Sequence, residues 1–559
     1  MLTTDWKTLA LQAQLIFGKS QSRTLELFPF DSDETLEAFE KLPSAIGKSV
    51  TDFGSPAKFP VDKYYETLSK KDVQITEADP VELIQDIKSG KYTCVEVLTS
   101  YFHAALIASK VTNCVYEFLP DEALKSARYL DENKDKLVSH CPMFGLPISL
   151  KEMIPLTGHS VTHGSLCYLD RVVDYNADIV NILIKNGAVP FVRSTNPQSL
   201  MMLECESFTH GRTVNPFNSD LTCGGSSGGE GAINGIHASP IGLGSDIGGS
   251  IRCPSAFNGI YGMRTTVGRI PTSDYFSCQM GSESIMSVTG PLTRSLDTLE
   301  LLMKTVVQEK PWKIDPSLTS IEWRNHARKT PYRIGILKTD GVVTPHPPIS
   351  RALDIMFEKL QSTDNIEVFE FEPFNHQKAW EIISALYFED GGDDTRKTLK
   401  STGEPMCPQT EWILGKDSVK RLTVEEIWKW NLEKQKYRKD YLKHWLLFNN
   451  TEGNTPMDAL IAPVFPGPAA KHRTAKYWGY TAQWNLLDYP VLVFPVTKVD
   501  LTKDIPIKDY KPRNEMDEFV YKQYDSPESF ENSPISLGIV GLRNSEEQLI
   551  DIMKLINRQ

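Results

Sequence analysis

Two serine sites set in glycine carry the strongest chemical signal in the chain. The first is Cys223-Gly-Gly-Ser-Ser-Gly-Gly-Glu-Gly231, and the second is Asp246-Ile-Gly-Gly-Ser-Ile-Arg252. Glycine has no Cβ, so such backbone turns tightly and its N–H groups can approach a ligand. Ser226, Ser227 and Ser250 are therefore hydroxyls presented on permissive backbone. A serine that attacks an amide carbonyl needs a base, and a lysine serves when burial keeps it neutral. Lys151 closes the apolar run Gly145-Leu-Pro-Ile-Ser-Leu150, where burial is expected. The successive N–H groups of the Asp246–Ser250 segment can form a nest aimed at a developing oxyanion.

Other chemistries fit less well. His159 and His163 stand four apart but in a Gly/Ser/Thr loop with no acid between them, so no metal site is expected. A phosphate-binding loop needs Gly-Lys-Ser/Thr, and here the glycines run into Glu230. Gly224-Gly-Ser226-Ser-Gly228 matches a nucleophile elbow, yet residues 215–223 are turn text rather than the buried strand an elbow follows. A flexible linker is also disfavoured, because the run from Glu230 reads as a short helix and Pro240-Ile-Gly-Leu-Gly244 as a buried strand. No cofactor is expected.

The elements that must position these groups alternate as in an α/β fold. Thr93-Cys-Val-Glu96 is a capping box opening a helix through Leu106. A strand at 145–150, a helix at 177–185 and a strand at 189–192 follow. After the serine sites come helices at 296–307 and 349–360, strands at 333–337 and 366–371, and a long Trp-rich helix at 424–448. That helix is expected to pack on the core, although its aromatics and lysines would also suit a membrane surface. Strands return at 460–466, 490–496 and 535–540. The expectation is one large domain, residues 76–559, with a central twisted mixed β-sheet surrounded by helices. Residues 1–75 form a helical N-terminal extension, broken at Pro29, Pro43, Gly54, Pro56 and Pro60. Within it Trp6, Leu9, Ala10, Ala13 and Phe17 share one helical face that Gly18 should end.

Composition narrows the partners. The 559 residues carry a formal charge of −12, which argues against a nucleic-acid footprint and against broad binding to anionic membranes. Nine cysteines without paired spacing suit reduced thiols. No run approaches the roughly 18 apolar residues of a membrane span, and the N-terminus lacks a signal-peptide apolar region. A cytoplasmic protein is expected.

The two serine sites, with Leu146-Pro-Ile-Ser-Leu-Lys151, Asp488-Tyr-Pro490, Phe494-Pro-Val-Thr497 and Pro534-Ile-Ser-Leu-Gly-Ile-Val-Gly541, resemble the amidase signature family over roughly residues 76–555. The resemblance implies an amidohydrolase with a Ser–cis-Ser–Lys triad: Ser250 as nucleophile, Ser226 as bridge, Lys151 as base. It implies an oxyanion hole from the N–H groups of Ile247, Gly248, Gly249 and Ser250, with Ser227, Asp246 and Arg252 behind them. Met201 and Met202 are expected to bind substrate, with Trp484 and Tyr489 near the pocket. One departure is Met263-Arg-Thr-Thr266, where the family commonly has a basic residue and Pro-Thr. The extension and the Pro197–Met202 loop most resemble fungal acetamidase-type general amidases, acting on small carboxamides, with a homodimer as the family's usual assembly. A peripheral fatty acid amide hydrolase-like enzyme, the A subunit of a glutamyl-tRNA amidotransferase, and a non-enzymatic partner-dependent subunit are the alternatives.

Overall fold

The computed structural model describes residues 5–47, 49, 51–53, 62–325, 331–449 and 455–558. Gly54, Pro56 and Pro60 lie outside that set. Among these residues the thirteen strands are β1 Val115–Phe118, β2 Pro147–Lys151, β3 Val189–Ser194, β4 Glu206–Ser207, β5 Gly211–Arg212, β6 Gly242–Asp246 and β7 Tyr261–Arg264, then β8 Val288–Thr293, β9 Tyr332–Ile336, β10 Ile366–Glu370, β11 Ala459–Pro463, β12 Val491–Lys498 and β13 Pro534–Val540. Eleven of them join in one sheet of order β1-β3-β2-β6-β8-β7-β12-β13-β11-β9-β10, while β4 and β5 form a small hairpin. β2 runs parallel to β3 and β6, and β9 parallel to β10 and β11. The pairs through β8, β7, β12 and β13 are antiparallel, so the sheet is mixed.

This register sets the site. Ser149 pairs with Gly242 and Leu150 with Leu243, so Lys151 and the Ser245-Asp246 end of β6 emerge side by side. The carboxyl ends of parallel strands are where open α/β sheets bind ligands. The expected strand at Pro240–Gly244 lies two residues further along, and that displacement carries Ser245 and Asp246 onto the sheet. Behind it, helix Cys94–Thr112 is opened by the Thr93/Glu96 capping box and buried nearly all round. It can be apolar on every side because it lies between the sheet and the helices of the N-terminal region.

Helix Trp6–Leu27 runs through Gly18 rather than ending there. An interior glycine costs only about 1 kcal/mol relative to alanine. Thr24 is buried, and Leu25 and Leu27 pack against the main core beyond it. Leu9, Ala10 and Ala13 bury against Leu166 and Leu169, and Phe17 meets Phe118 of β1. Strands β1, β4, β5, β7 and β8 are not among the expected ones; β4 and β5 are two residues each, and β7 and β8 contain Gly262, Gly290 and Pro291, which blur any strand pattern.

Helix Val424–Leu447 is capped by a Thr423/Glu426 box and buries Tyr437, Tyr441 and Trp445. Trp484 and Tyr489 pack edge-on against Tyr441 and Trp445, away from the cavity described below. Their expected place near the substrate pocket is therefore corrected. Val424, Trp428 and Leu432, four residues apart, stay exposed on the outer face.

Candidate active site

Lys151 is fully buried at the end of β2. Its Nζ lies 2.6 Å from Ser226 Oγ and 2.9 Å from Ser245 Oγ. Burial pushes the amine down from its ordinary 10.5 to about 7, because a charge there has lost its water and gains only partial compensation from Asp246, Glu230 and Glu152. Neutral lysine is thus accessible near physiological pH. Glu230, on helix Gly228–Gly235, accepts from Ser149 and Ser194 at 2.6 Å each, and burial raises its carboxyl to about 7.

The Gly225–Ser226 peptide bond is cis. Gly225 is pressed against the backbone of Glu204, where a Cβ would overlap the carbonyl oxygen. Ser227 ties the two serine sites together. Its N–H donates to the Ser250 carbonyl at 3.1 Å, and its hydroxyl exchanges hydrogen bonds with the N–H and C=O of Ser245 at 3.2 Å each. Ser226 and Ser250 face the same cavity, but no direct hydrogen bond joins their hydroxyls in this structure. Catalytic hydrogen bonds are often loose before substrate arrives.

The turn that carries Ser250 is built around Asp246. Its carboxylate accepts from the N–H groups of Gly249 at 2.9 Å and Ile251 at 3.0 Å. It also pairs with the Arg252 guanidinium through Nε at 2.9 Å and a terminal nitrogen at 2.7 Å, and takes Asn485 Nδ2 at 3.0 Å. Burial alone would raise this carboxyl; Arg252 and Asn485 hold it well below the usual range. Arg252 reaches further to the Thr481 carbonyl at 2.7 Å. Gly249 has φ +134°, and a Cβ there would strike the Thr481 side chain. Only glycine fits that position.

The expected set of four oxyanion donors needs a correction here. The Gly249 N–H is donated to Asp246, so it is committed to holding the turn. The N–H groups of Ile247, Gly248 and Ser250 have no such partner among the described residues. The carbonyls of Ile247 and Gly248 are held by Tyr387 at 3.0 Å and Thr481 at 2.6 Å, fixing the peptide planes.

A cavity of about 320 Å³ opens from Ser226, Ser245 and Ser250 toward the surface. Met201 lines it, as do Met153, Ile247, Leu386 and Tyr387, with the 267–287 segment forming much of the wall. Met202 does not: it is buried with 2% exposure outside the lining. Neighbouring residues in irregular backbone, both Ser199 and Leu200 having positive φ, turn adjacent side chains to different places. Among the described residues no lining residue carries a charge at neutral pH. The sequence offered no periodic signal for the 267–287 wall, and Ser245, although Gly244 precedes it, reads as the end of a buried strand rather than as a second glycine-set hydroxyl.

His159 and His163 point to separate surroundings. His159 is ion-paired with Glu117 and Glu122, which hold it at about 9 against burial, whereas burial without an acidic partner drives His163 down to about 3.

The sequence and the fold both have close counterparts. Residues 96–550 match the Amidase family model. The acetamidase of Emericella nidulans is 36% identical over 500 residues, covering 88% of this chain and 90% of its own. The acetamidase of Aspergillus oryzae is 35% identical, covering 88% and 91%. Among solved structures, a fatty acid amide hydrolase superposes with a TM-score of 0.83 at 31% identity, covering 96% of this chain and 99% of its own. The chain belongs to the amidase signature family, and it is an amide-hydrolysing enzyme.

Proposed function

We propose that the enzyme hydrolyses neutral carboxamides through an acyl-enzyme on Ser250, with Ser226 as proton bridge and Lys151 as base. The observation that carries this reading is the 2.6 Å contact between a fully buried lysine and the Ser226 hydroxyl. Neutral Lys151 takes the proton of Ser226 as Ser226 takes that of Ser250. The Ser250 oxygen then bonds to the amide carbon. The carbonyl oxygen gains its charge facing the N–H groups of Ile247, Gly248 and Ser250; the Tyr387 contact to the Ile247 carbonyl holds the Gly248 N–H in place, and the Cys253 N–H on the Gly249 carbonyl holds that of Ser250. The proton returns through Ser226 to the leaving nitrogen, the C–N bond breaks, and water hydrolyses the acyl ester by the same relay. Ser227, Asp246 and Arg252 hold the turn rather than touch substrate.

The cavity supports an apolar acyl group of modest size, in keeping with the acetamidase names of two relatives. Its uncharged wall weighs against a glutamyl substrate, whose charges would go unpaired. A longer acyl chain is a second reading, favoured by the likeness to fatty acid amide hydrolase and by the exposed Val424-Trp428-Leu432 face. We read residues 1–75 as a helical arm on the 76–559 catalytic region. The nine free cysteines support a reducing compartment such as the cytoplasm. Among the described residues no helix is long and apolar enough to cross a membrane.

A fluorophosphonate probe followed by mass mapping tests the assignment. The adduct is expected on Ser250, and Ser250→Ala should lose both labelling and ammonia release from a series of amides of increasing chain length. An adduct on Ser226, or persistent activity in Ser250→Ala, refutes it.

A further inference from the structure

Ser245 is a second hydroxyl within hydrogen-bond distance of the proposed base, and nothing in the relay above uses it. Its hydroxyl lies 2.9 Å from Lys151 Nζ and 3.1 Å from Met153 Sδ. Both Ser245 and Met153 line the cavity. A neutral amine has one lone pair and two N–H groups. Between two hydroxyls it can accept from Ser226 and donate to Ser245, or do the reverse. Only the first arrangement lets Lys151 take a proton from Ser226. In the second, Lys151 would donate to the group it must deprotonate.

The thioether of Met153 decides between them. Sulfur in a thioether carries no hydrogen, so it can only accept. The Ser245 proton therefore points at Met153, and Ser245 presents lone pairs alone to Lys151. Lys151 must then donate to Ser245, which turns its own lone pair toward Ser226. The Ser245 backbone is in turn fixed by its paired hydrogen bonds with Ser227 and by its place in β6, so the hydroxyl has little freedom to leave.

We propose that Ser245 is a positioning residue for the reaction, its rotor set by Met153 so that the Lys151 lone pair is aimed at Ser226. The inference rests on the reading of Lys151 as base. During turnover the Ser226 O–H bond breaks and a third N–H bond forms on Lys151. The resulting ammonium keeps its donation to Ser245 and gains one to the Ser226 oxygen. Ser245 thus assists before the transfer by orientation and after it by accepting from the cation.

Three variants and a pH profile test this. The charged and titratable groups that Lys151 feels, Cys205, Asp246, Glu230 and Glu152, remain in place in all of them. Ser245→Ala is expected to lower kcat by about 10- to 100-fold with KM changed by less than about threefold, a smaller loss than that of the general base itself because Lys151 remains. Its acid limb should move to lower pH, because the ammonium has lost an acceptor. Ser245→Thr keeps the hydroxyl and should restore most of kcat. Met153→Leu keeps the volume but frees the Ser245 proton, letting both arrangements of Lys151 populate, and should cost about two- to fivefold in kcat. A Ser245→Ala enzyme with wild-type kcat and acid limb overturns the proposal, as does a Ser245→Thr enzyme as slow as the alanine variant. If Ser245→Ala fails to fold, wild-type kcat in Met153→Leu overturns it. Lys151→Ala separates the two readings. Activity surviving there refutes the base itself, whereas an inactive Lys151→Ala beside a wild-type Ser245→Ala refutes only the positioning role.

Discussion

Replacing Lys151 by methionine should abolish activity and yet stabilise the fold, in a pH-dependent way. Burial lowers the amine from 10.5 to about 7, so between those values the unfolded chain holds a proton that the folded chain has released. Stability of the wild type therefore rises with pH across that window, and its deficit is fully present below about pH 7. At about 1.4 kcal/mol per tenfold, that deficit is about 4 kcal/mol at pH 7 and about 2 kcal/mol at pH 9. Methionine has no proton to lose, so Lys151→Met carries no such dependence. It does forfeit the contacts to Ser226 and Ser245, worth about 1–3 kcal/mol and nearly independent of pH. The decisive quantity is the change in the gap between the two proteins. Urea unfolding at about pH 7 and about pH 9 should show the variant losing about 2 kcal/mol of relative stability over that interval. Groups that Lys151 does not touch are common to both chains and cancel in the difference, while Glu230, which the amine helps to lower, shifts further up in the variant and adds to the same loss. A gap that stays constant, or that moves in the variant's favour as pH rises, would mean that Lys151 is folded as a cation. The neutral base would then have to be abandoned. The wild-type kcat/KM profile should show the same group as an acid limb near pH 7.

Two further substitutions probe the frame and the pocket. Arg252→Ala strands the buried Asp246 carboxylate without its guanidinium and releases the Thr481 and Asn485 contacts; a destabilisation of about 3–5 kcal/mol is expected in denaturant unfolding, as for a broken buried pair. A loss below about 1 kcal/mol would show that the ion pair does not hold the Ser250 turn. Met201→Trp adds bulk to the cavity wall and should shorten the longest amide accepted, with kcat/KM falling about tenfold or more for each methylene excluded. Ammonia release across a chain-length series reads this out, and an unchanged length profile would remove Met201 from the acyl-binding wall.

Much of this arrangement could be read from residue order. The alternation of helices and apolar strands outlined the α/β architecture. Lysine at a strand end and two glycine-set serines marked the chemistry because burial and turn geometry leave local signatures. Signals that depend on long-range packing were lost. Gly18 looked like a helix stop until the burial of Thr24 and the packing of Leu25 and Leu27 outweighed it. Met201 and Met202 are indistinguishable in sequence, and backbone turning at Ser199 and Leu200 decides which one meets the cavity. The occupation of the Gly249 N–H by Asp246 is a matter of one turn's closure, which composition does not encode. Ser245 matters through two contacts, one to a residue 94 positions away and one to a residue 92 away.

The uncharged cavity has a consequence for the far side of the reaction. An amide enters as a neutral molecule, and hydrolysis turns it into an acid that ionises. The new carboxylate stands in a chamber whose described walls offer hydroxyls, thioethers and hydrocarbon, but no cation. An anion held there meets the N–H groups of Ile247, Gly248 and Ser250 but no counter-ion, and has surrendered part of its hydration. Water outside is the better solvent for it. Lys151, which could have served as a counter-ion, is neutral above about pH 7 and lies behind Ser226 and Ser245 rather than in the wall. The same lining that admits the neutral substrate thus holds its ionised product less well, and solvation favours the product's departure.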